Sequence, residues 1–378
     1  MLWRNLIAAC SAITVFGFAF GMTYPLLSLI LESRGVSTYM IGLNSAMMPI
    51  GILLFSSVIP WAARRFGARQ VAIAAAVVSA LLILCYKLFD QIGAWFIIRI
   101  FHGMSLSTLF VLSEAWIVGF AGNRHRGKIV AIYSAVLSLS FGAGPALVSV
   151  IGIQGWLPFL IGAGVIFIGI IPLSMVREMP VEDSKQSTAA SVLSFMPRAP
   201  VLLLCVLAFA VFDAATLSLL PVYGLQFDLG LATSANILTA LIIGNTILQF
   251  PIGWLADKFP HRIVLLGCAG IAALMLVLLP FVMATVWMWP VIVIAGTTGY
   301  GVYSVSLTSL GARFEGNELI SGSAAFAVMW GIGALMGSVS GGWSMTLFGP
   351  DGLPFHLAIV YFIVVIGLFF RSLQPKKM

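Results

Sequence analysis

Residues 253–262 read Gly-Trp-Leu-Ala-Asp-Lys-Phe-Pro-His-Arg, and residues 60–69 read Pro-Trp-Ala-Ala-Arg-Arg-Phe-Gly-Ala-Arg. The two segments share tryptophan, alanine, phenylalanine and arginine at matching positions, and each follows a long apolar run. The second segment lies about half a chain length after the first, which is the signature of an internal repeat. The sequence therefore predicts a chain built from two related halves.

The composition places both halves in a membrane. Hydrophobic residues make up 61% of the 378 positions, whereas Lys, Arg, Asp and Glu make up only 8%. Soluble domains carry roughly 25% charged residues, so the composition excludes a soluble protein. A spanning helix needs about 20 apolar residues, and open sheets are not stable in hydrocarbon. We predict an all-α integral membrane protein with twelve transmembrane helices, near residues 6–31, 40–63, 70–89, 92–119, 128–151, 155–176, 200–223, 231–255, 262–284, 288–311, 320–347 and 353–371.

Basic residues predict the orientation of these helices. If the N-terminus is cytoplasmic, the inside segments contain most of the 19 lysines and arginines, namely Arg4, Arg64, Arg65, Arg69, Arg124, Arg126, Lys128, Arg177, Lys185, Arg198, Lys258, Arg262, Arg313, Arg371, Lys376 and Lys377. Such an excess of inside charge orients membrane proteins, so we expect both chain ends in the cytoplasm. It also accounts for the formal net charge of +7 without a nucleic-acid partner.

One long polar stretch divides the helices six and six. Residues 177–199 are rich in charge, serine and proline, and we predict a cytoplasmic linker there. It would join an N-terminal six-helix bundle, residues 1–176, to a C-terminal six-helix bundle, residues 200–378. The four cysteines lie in apolar runs without a Cys-x-x-Cys pair, so we expect neither a disulfide framework nor a metal site.

Several motifs resemble those of the major facilitator superfamily. The segment Gly253–Arg262 resembles its loop motif, Gly-x-x-x-Asp-Arg/Lys-x-Gly-Arg-Lys/Arg, and Arg99–Gly103 resembles its fourth-helix Arg-x-x-x-Gly pattern. Gly142–Pro145 resembles part of the fifth-helix Gly-Pro motif of exporters. Residues 113–116 and 123–127 are similar to the bacterial YcaD-like subgroup. The resemblance covers the whole chain and implies two pseudo-symmetric bundles, the major facilitator fold, and a transporter.

The resemblance also implies a cytoplasmic latch. In the family, the loop-motif aspartate faces the N-terminus of a helix in the opposite half, where negative charge is favourable. Arg64 occupies the acidic position in the first copy, so only Asp257 can act in this way. Its target would be the start of the fifth span, near Arg126 and Lys128, and we predict one acidic latch. The exporter motif is incomplete, because Ser140 replaces its leading glycine.

Ionisable residues at bilayer depth are costly and usually functional. Asp213 lies near the middle of the seventh span, Glu114 and Arg99 share the fourth, and His102 lies one turn from Arg99. Carboxyl groups removed from water shift toward the neutral form, and histidine titrates near neutral pH. Glu114, Asp213 and His102 are therefore candidate proton-coupling residues, and Arg99 is a candidate anion ligand. For each of them a purely structural role is the alternative, which for Glu114 is a partnership with the basic loop 124–128.

Neutral polar and aromatic residues complete the predicted substrate site. Asn245 and Gln249 are four positions apart and so share one helix face. The remaining candidates could equally serve packing or the membrane interface, and they are Tyr24, Asn44, Trp116, Tyr133, Asn236, Tyr300, Tyr303 and Trp330. Glycines at four-residue spacing predict close helix contacts, which could be static or could let helices slide, at Gly17, Gly21, Gly333, Gly337 and Gly341.

These features predict a secondary active transporter that moves a small organic solute by alternating access. We expect proton coupling and favour export; the alternatives are an importer of a small organic anion that uses Arg99, or an uncoupled facilitator.

The sequence has no Gly-x-x-x-x-Gly-Lys-Ser/Thr motif for a built-in ATPase. It also lacks Gly-x-Ser-x-Gly and His-Glu-x-x-His, which argues against a membrane enzyme. It has no sizeable signalling domain, which argues against a sensor. We expect no catalytic residue, no metal and no cofactor in a multi-pass plasma membrane protein of a bacterial inner membrane. Its partners would be solute, protons and lipid, without nucleic acid, and it would be a monomer.

Overall fold

The predicted membrane segments form long helices. The structure, a computed structural model, describes residues 2–120, 126–175 and 193–373. Its helices are α1 Leu2–Ser33, α2 Thr38–Ser56, α3 Ile59–Phe66, α4 Ala68–Leu88, α5 Ile92–Phe120, α6 Arg126–Ile151, α7 Leu157–Leu173, α8 Pro200–Gln226, α9 Leu231–Lys258, α10 His261–Val282, α11 Met288–Arg313, α12 Gly316–Phe348 and α13 Gly352–Leu373. A short 3₁₀ helix, Met196–Arg198, precedes α8.

The helix lengths agree with the prediction of a multi-pass membrane protein. In the described part of the chain, eleven helices are long and apolar enough to cross a membrane, and α7 is a shorter apolar helix. Helices suit this sequence because each satisfies its backbone hydrogen bonds internally, which lipid cannot do for it. The all-α fold is therefore confirmed, whereas the cytoplasmic location of the chain ends stays a prediction.

The second predicted span, 40–63, is wrong as one continuous helix. The structure ends α2 at Ser56 and begins a separate short helix, α3, at Ile59. Pro60 lies in the first turn of α3, where its missing backbone N–H costs no hydrogen bond. Proline alone does not set this break, because Pro49 lies inside α2 itself. The α3 helix buries Ile59 and exposes Arg64, so its faces differ in polarity. The first copy of the repeated loop motif therefore lies on a short amphipathic helix.

The chain divides into two compact units. In unit 1, α1 packs against α5, α6 and α7, and α4 packs against α5 and α7. In unit 2, α8 packs against α11, α12 and α13, and α10 packs against α11 and α13. Each pair in unit 1 thus has a counterpart in unit 2 at the equivalent position along the repeat. This agreement in packing supports the two related halves that the loop motifs predict.

Two short segments at helix starts group with the other unit rather than with the unit of their neighbours along the chain. Val36–Leu43, which includes the start of α2, clusters with unit 2, and Leu231–Thr239, the start of α9, clusters with unit 1. The first of these segments is held closely, because a Cβ added to Gly42 would lie 2.0 Å from the Ser338 carbonyl oxygen of α12. The boundaries 1–176, 177–199 and 200–378 stay predictions, and most of the linker lies outside the described residues.

Close helix packing at both glycine rows is confirmed. A Cβ added to Gly21 would lie 2.2 Å from the backbone oxygen of Phe141 on α6. On α12, a Cβ at Gly337 would lie 2.3 Å from the backbone oxygen of Val211 on α8. No side chain fits at such distances, so these glycines allow the helix backbones to touch. These contacts fix α1 against α6 in unit 1 and α8 against α12 in unit 2.

Candidate functional site

Asp213 is a buried carboxylate at the middle of α8, the most enclosed helix of unit 2. Its side chain is 8% exposed, and nearly every residue of α8 from Leu202 to Gly224 is buried. A charge in such a position is stable only if other groups compensate it. The packing of α8 against α11, α12 and α13 brings those groups to it.

Two side chains donate hydrogen bonds to this carboxylate. The Tyr300 hydroxyl on α11 donates to Asp213 Oδ1 at 2.8 Å, and the Trp330 side chain on α12 is a second donor. In the described part of the chain, no lysine, arginine or histidine forms an ion pair with Asp213. The carboxylate is therefore held in place by neutral donors while its charge stays available for a proton or a cation.

Aromatic rings form a connected cluster around Tyr300, the hydrogen-bond donor to Asp213. Phe212 contacts the rings of Tyr300 and Tyr361 with centroid separations of 5.9 and 5.5 Å. Phe209, one turn earlier on α8, lies 5.5 Å from Tyr300 and stacks on Tyr303 at 4.6 Å. These rings present both apolar surface and negatively polarised faces, which attract organic cations. We name this set of Asp213, Trp330 and the five rings the aspartate box.

The polar pair of α9 extends from the aspartate box. Gln249 donates a hydrogen bond to the Ser304 hydroxyl, which lies one turn from Tyr300 on α11. Asn245 is buried, and in the described residues its Oδ1 has no hydrogen-bond partner. The sequence analysis did not select Ser304, although its spacing of four from Tyr300 places both on one helix face. Four helices, α8, α9, α11 and α12, therefore contribute polar groups to one region of unit 2.

Arg99 is fully buried in unit 1. Its exposed fraction is 0%, and its guanidinium carbon lies 5.2 Å from the centroid of the Tyr24 ring. Tyr24 in turn donates a hydrogen bond to the backbone oxygen of Ser45 at 3.4 Å. Residues of α1, α2 and α5 therefore meet around this cation, and the predicted candidates Arg99 and Tyr24 lie together.

His102 is fixed by two hydroxyl groups of α4. Its Nε2 lies 2.9 Å from Ser79 Oγ and its Nδ1 lies 3.4 Å from the Tyr86 hydroxyl. Both partners were missed by the sequence analysis, although their spacing of seven residues is typical of one helix face. The histidine lies close enough to Arg99 to interact with it electrostatically. This arrangement is compatible with the structural role that was the alternative for His102.

Glu114 lies on an exposed side of α5. Its side chain is exposed, in contrast to the buried side chain of Asp213. The preceding Ser113 hydroxyl lies 2.9 Å from the Tyr133 hydroxyl of α6, and Glu114 interacts electrostatically with Tyr133. Trp116 is buried, and its Nε1 has no hydrogen-bond partner in the described ranges. The structure thus brings Glu114 close to Tyr133 in unit 1.

The residues of the predicted latch lie at the ends of helices. Asp257 is exposed in the last turn of α9, and the adjacent Lys258 ammonium lies 4.0 Å from the Trp254 ring centroid. Arg64 is exposed in the last turn of α3. The side chains of Arg126 and Lys128 lie outside the described residues, although α6 begins at Arg126. The latch therefore stays a prediction.

The fold agrees with the comparison with known families. The sequence profile described as Major Facilitator Superfamily matches residues 9–314 and residues 232–378. The chain belongs to the major facilitator superfamily. Its members are transporters, so this major facilitator protein is a multi-pass membrane transporter and not an enzyme.

Relatives of this major facilitator chain cover nearly its full length. It is 25% identical over 369 residues to the uncharacterized MFS-type transporter YfkF of Bacillus subtilis (strain 168), spanning 94% of this chain and 93% of the relative. It is 23% identical over 369 residues to the uncharacterized MFS-type transporter YcaD of Escherichia coli (strain SMS-3-5 / SECEC), spanning 97% and 95%. The similarity to YcaD that the sequence motifs indicate is confirmed.

Solved structures confirm the major facilitator fold. The nucleoside transporter NupG superposes with a TM-score of 0.78 at 13% identity, covering 98% of this chain and 100% of NupG. A D-xylose-proton symporter superposes with a TM-score of 0.74 at 15% identity, covering 97% and 96%. At these identities the likeness concerns the fold. In the described residues, no three histidine, cysteine, aspartate or glutamate side chains are grouped to hold a metal ion.

Proposed function

We propose that this major facilitator protein exports a small organic cation in exchange for protons, with Asp213 binding each in turn. Export, proton coupling and a cationic cargo all go beyond membership of the family. The observation that carries the proposal is the aspartate box, in which a buried carboxylate has neutral donors and aromatic neighbours but no cationic side chain among the described residues.

The charge of Asp213 explains why two ligands would compete. An uncompensated charge at bilayer depth is costly, so a carboxylate must be neutralised before the site can pass through an occluded state. A proton and an organic cation neutralise the same group, and they cannot do so together. Mutual exclusion at one carboxylate is the simplest physical basis of exchange, because binding of one ligand releases the other.

The rings of the aspartate box favour a cation of organic character. Phe209, Phe212 and Tyr300 contribute ring faces and apolar surface near the carboxylate. A cation over an aromatic face gains roughly 0.5–2 kcal/mol, more when water is excluded. A small hydrated metal ion would gain less from the rings, because it would have to lose its water first.

Glu114 is the second proposed proton carrier. We assign it this role because its side chain is exposed on α5, whereas that of Asp213 is buried. The sequence has no ATPase motif, so a gradient must drive transport. The name of the D-xylose-proton symporter shows that this fold accommodates proton coupling in that protein. We also propose a monomer in a bacterial inner membrane; the bacterial origin of its relatives YfkF and YcaD supports the location.

Transport in liposomes tests the proposal. Purified protein is reconstituted with the pH dye pyranine inside, and an inward gradient of ethidium is imposed from outside. We expect ethidium entry to drive proton exit in the wild type, to be lost in Asp213→Asn, and to weaken in Glu114→Gln. Asp228→Asn is the matched control, because Asp228 is an exposed carboxylate just after α8. Full coupling in Asp213→Asn would exclude the aspartate box as the exchange site.

Import of a small organic anion, or uncoupled flow, is the second candidate function. It is favoured by the buried Arg99, whose guanidinium nitrogens have no hydrogen-bond partner in the described residues. In the same liposomes, uptake of radiolabelled lactate by the wild type and its loss in Arg99→Gln would support this function. Uptake without any proton movement would identify a facilitator.

A further inference from the structure

Arg99 lies in the most poorly satisfied polar environment of unit 1. Its Nε, Nη1 and Nη2 atoms are all buried, and none has a hydrogen-bond partner in the parts of the chain that the structure describes. The side-chain amide of Asn44 and the hydroxyls of Ser28 and Ser45 are also buried without partners there. Buried polar groups are normally hydrogen-bonded. Several buried polar groups without a partner in one unit therefore indicate that a ligand binds there.

Tyr24 connects Arg99 to the chain segment that carries Asn44 and Ser45. The Tyr24 ring faces the Arg99 guanidinium, and the Tyr24 hydroxyl bonds to the backbone of Ser45, next to Asn44. Ser28 is one turn after Tyr24 on α1 and so shares its helix face. We name Arg99, Asn44, Ser45 and Ser28 the arginine cluster. Its members lie on α1, α2 and α5, and Tyr24 links these helices through its contacts with Arg99 and with the backbone of Ser45.

The charge of the arginine cluster is not compensated by protein. A guanidinium stays protonated at all accessible pH values, and a buried charge needs an opposite charge or a full set of hydrogen bonds. Among the described residues, no aspartate or glutamate forms an ion pair with Arg99. The nearest titratable groups are Tyr24, Tyr86 and His102, and none of them supplies a stable negative charge.

We infer that the arginine cluster binds a single small inorganic anion with one negative charge, such as chloride. An anion beside Arg99 would accept its guanidinium hydrogens and neutralise its charge, whereas water would supply only the hydrogen bonds. The complete burial of Arg99 fits a resident ion of atomic size rather than a bulky cargo. The inference does not depend on the cation exchange proposed for the aspartate box, which lies in unit 2.

Anion-dependent thermal stability tests this inference. The unfolding temperature of the purified protein is measured in sodium gluconate, with chloride, bromide or lactate replacing gluconate at constant ionic strength. A ligand of the native state stabilises by mass action, so we expect chloride and bromide to raise the unfolding temperature by about 3 °C or more, with saturation. Crystals soaked in bromide should show an anomalous peak beside Arg99.

Variants separate specific binding from general salt effects. Arg99→Met should fold, because replacing a buried ion by an apolar side chain of similar size is often tolerated, and it should lose the chloride response. Arg99→Lys should keep a weaker response. Arg34→Gln is the matched control and should respond like the wild type, because Arg34 is at the surface and pairs with Asp90.

Three results would overturn the inference. The first is equal stability in gluconate and chloride, which would mean that water fills the cluster. The second is an unchanged chloride response in Arg99→Met. The third is stabilisation by lactate alone, which would make Arg99 a ligand for an organic cargo. None of these three results bears on the proposed cation exchange, which is tested separately by ethidium–proton exchange in Asp213→Asn.

Discussion

The Tyr300 hydroxyl on α11 donates a hydrogen bond of 2.8 Å to the Asp213 carboxylate on α8. This bond joins two helices of unit 2 at the buried charge on which the proposed exchange depends. A donor to a charged acceptor in a site shielded from water is worth more than one between neutral groups. Its loss therefore provides a direct measure of the contribution of the aspartate box to transport.

Removing the Tyr300 hydroxyl should impair transport more than folding. Hydrogen bonds to charged groups contribute about 1.5–3 kcal/mol, so we expect Tyr300→Phe to lower the initial rate of ethidium–proton exchange by roughly tenfold or more. The ring contacts with Phe209 and Phe212 remain. Tyr223→Phe is the control, because Tyr223 donates to another carboxylate, Asp351, at 3.4 Å. Equal rates in Tyr300→Phe and the wild type would show that the bond does not serve transport.

The contact between α12 and α8 should not tolerate a methyl group at Gly337. A Cβ there would lie 2.3 Å from the Val211 backbone oxygen, and overpacking costs about 1–3 kcal/mol. We expect Gly337→Ala to lower the unfolding temperature by several degrees. Gly267→Ala is the matched control, since a Cβ at Gly267 has no atom within 4 Å and alanine favours helix. A stable Gly337→Ala protein would mean that the two helices separate readily.

The loop between α4 and α5 should give a small acid-dependent stability term. Slight burial raises the pKa of Asp90, but the hydrogen bond and charge of Arg34, followed by Lys87, outweigh it and lower that pKa. The ion pairs measure 2.5 Å to Arg34 and 3.5 Å to Lys87. A lowered folded-state pKa stabilises above the unfolded pKa of about 3.9, and the stabilisation is lost as the pH falls through the folded value.

The size of this effect is limited by solvent. Because the Asp90 side chain is 42% exposed, we expect less than about 1 kcal/mol. Unfolding temperatures of the wild type and Arg34→Gln should differ at pH 7 and converge below about pH 4. A difference that persists at low pH would mean that Arg34 acts through its contact with the Trp95 ring instead.

Asp257 should affect transport without affecting stability. Its exposed carboxylate at the end of α9 makes little contribution to packing, so Asp257→Asn should unfold at the wild-type temperature. Attraction between a carboxylate and a helix N-terminus is worth about 0.3–2 kcal/mol. We therefore expect exchange to slow by up to about tenfold if this residue is the only acidic latch. Wild-type exchange in Asp257→Asn, measured beside Asp228→Asn, would remove the latch from the mechanism.

Much of the fold could be predicted because hydropathy and charge are local properties of the chain. The runs around Asp213 and Glu114 are apolar for the length that a bilayer requires, and the copied motif ending at Arg262 reveals the repeat. Hydropathy averaged over a window does not register where one helix ends and the next begins, so the break before Ile59 was missed. Pro60 was not a sufficient signal for it, because Pro49 and Pro221 lie inside helices.

The candidate site could be predicted only in part. Asp213 was selected because charge in an apolar run is rare, and Tyr300 and Trp330 were two among many aromatic candidates. That these two donate to the carboxylate depends on how α11 and α12 are rotated against α8. Rotation is set by side-chain packing over the whole helix, including the glycines of α12, and no single position encodes it.

The sequence by itself determined that this protein lies in a membrane, that it repeats itself, and which charged residues enter the apolar segments. Only the tertiary structure decided that Asp213 has neutral donors, that Glu114 is exposed, and that Arg99 is enclosed without a counter-charge. The physical reason is that transfer into lipid depends on what a segment contains. Whether a charge is satisfied depends instead on which atoms other helices bring within hydrogen-bonding distance.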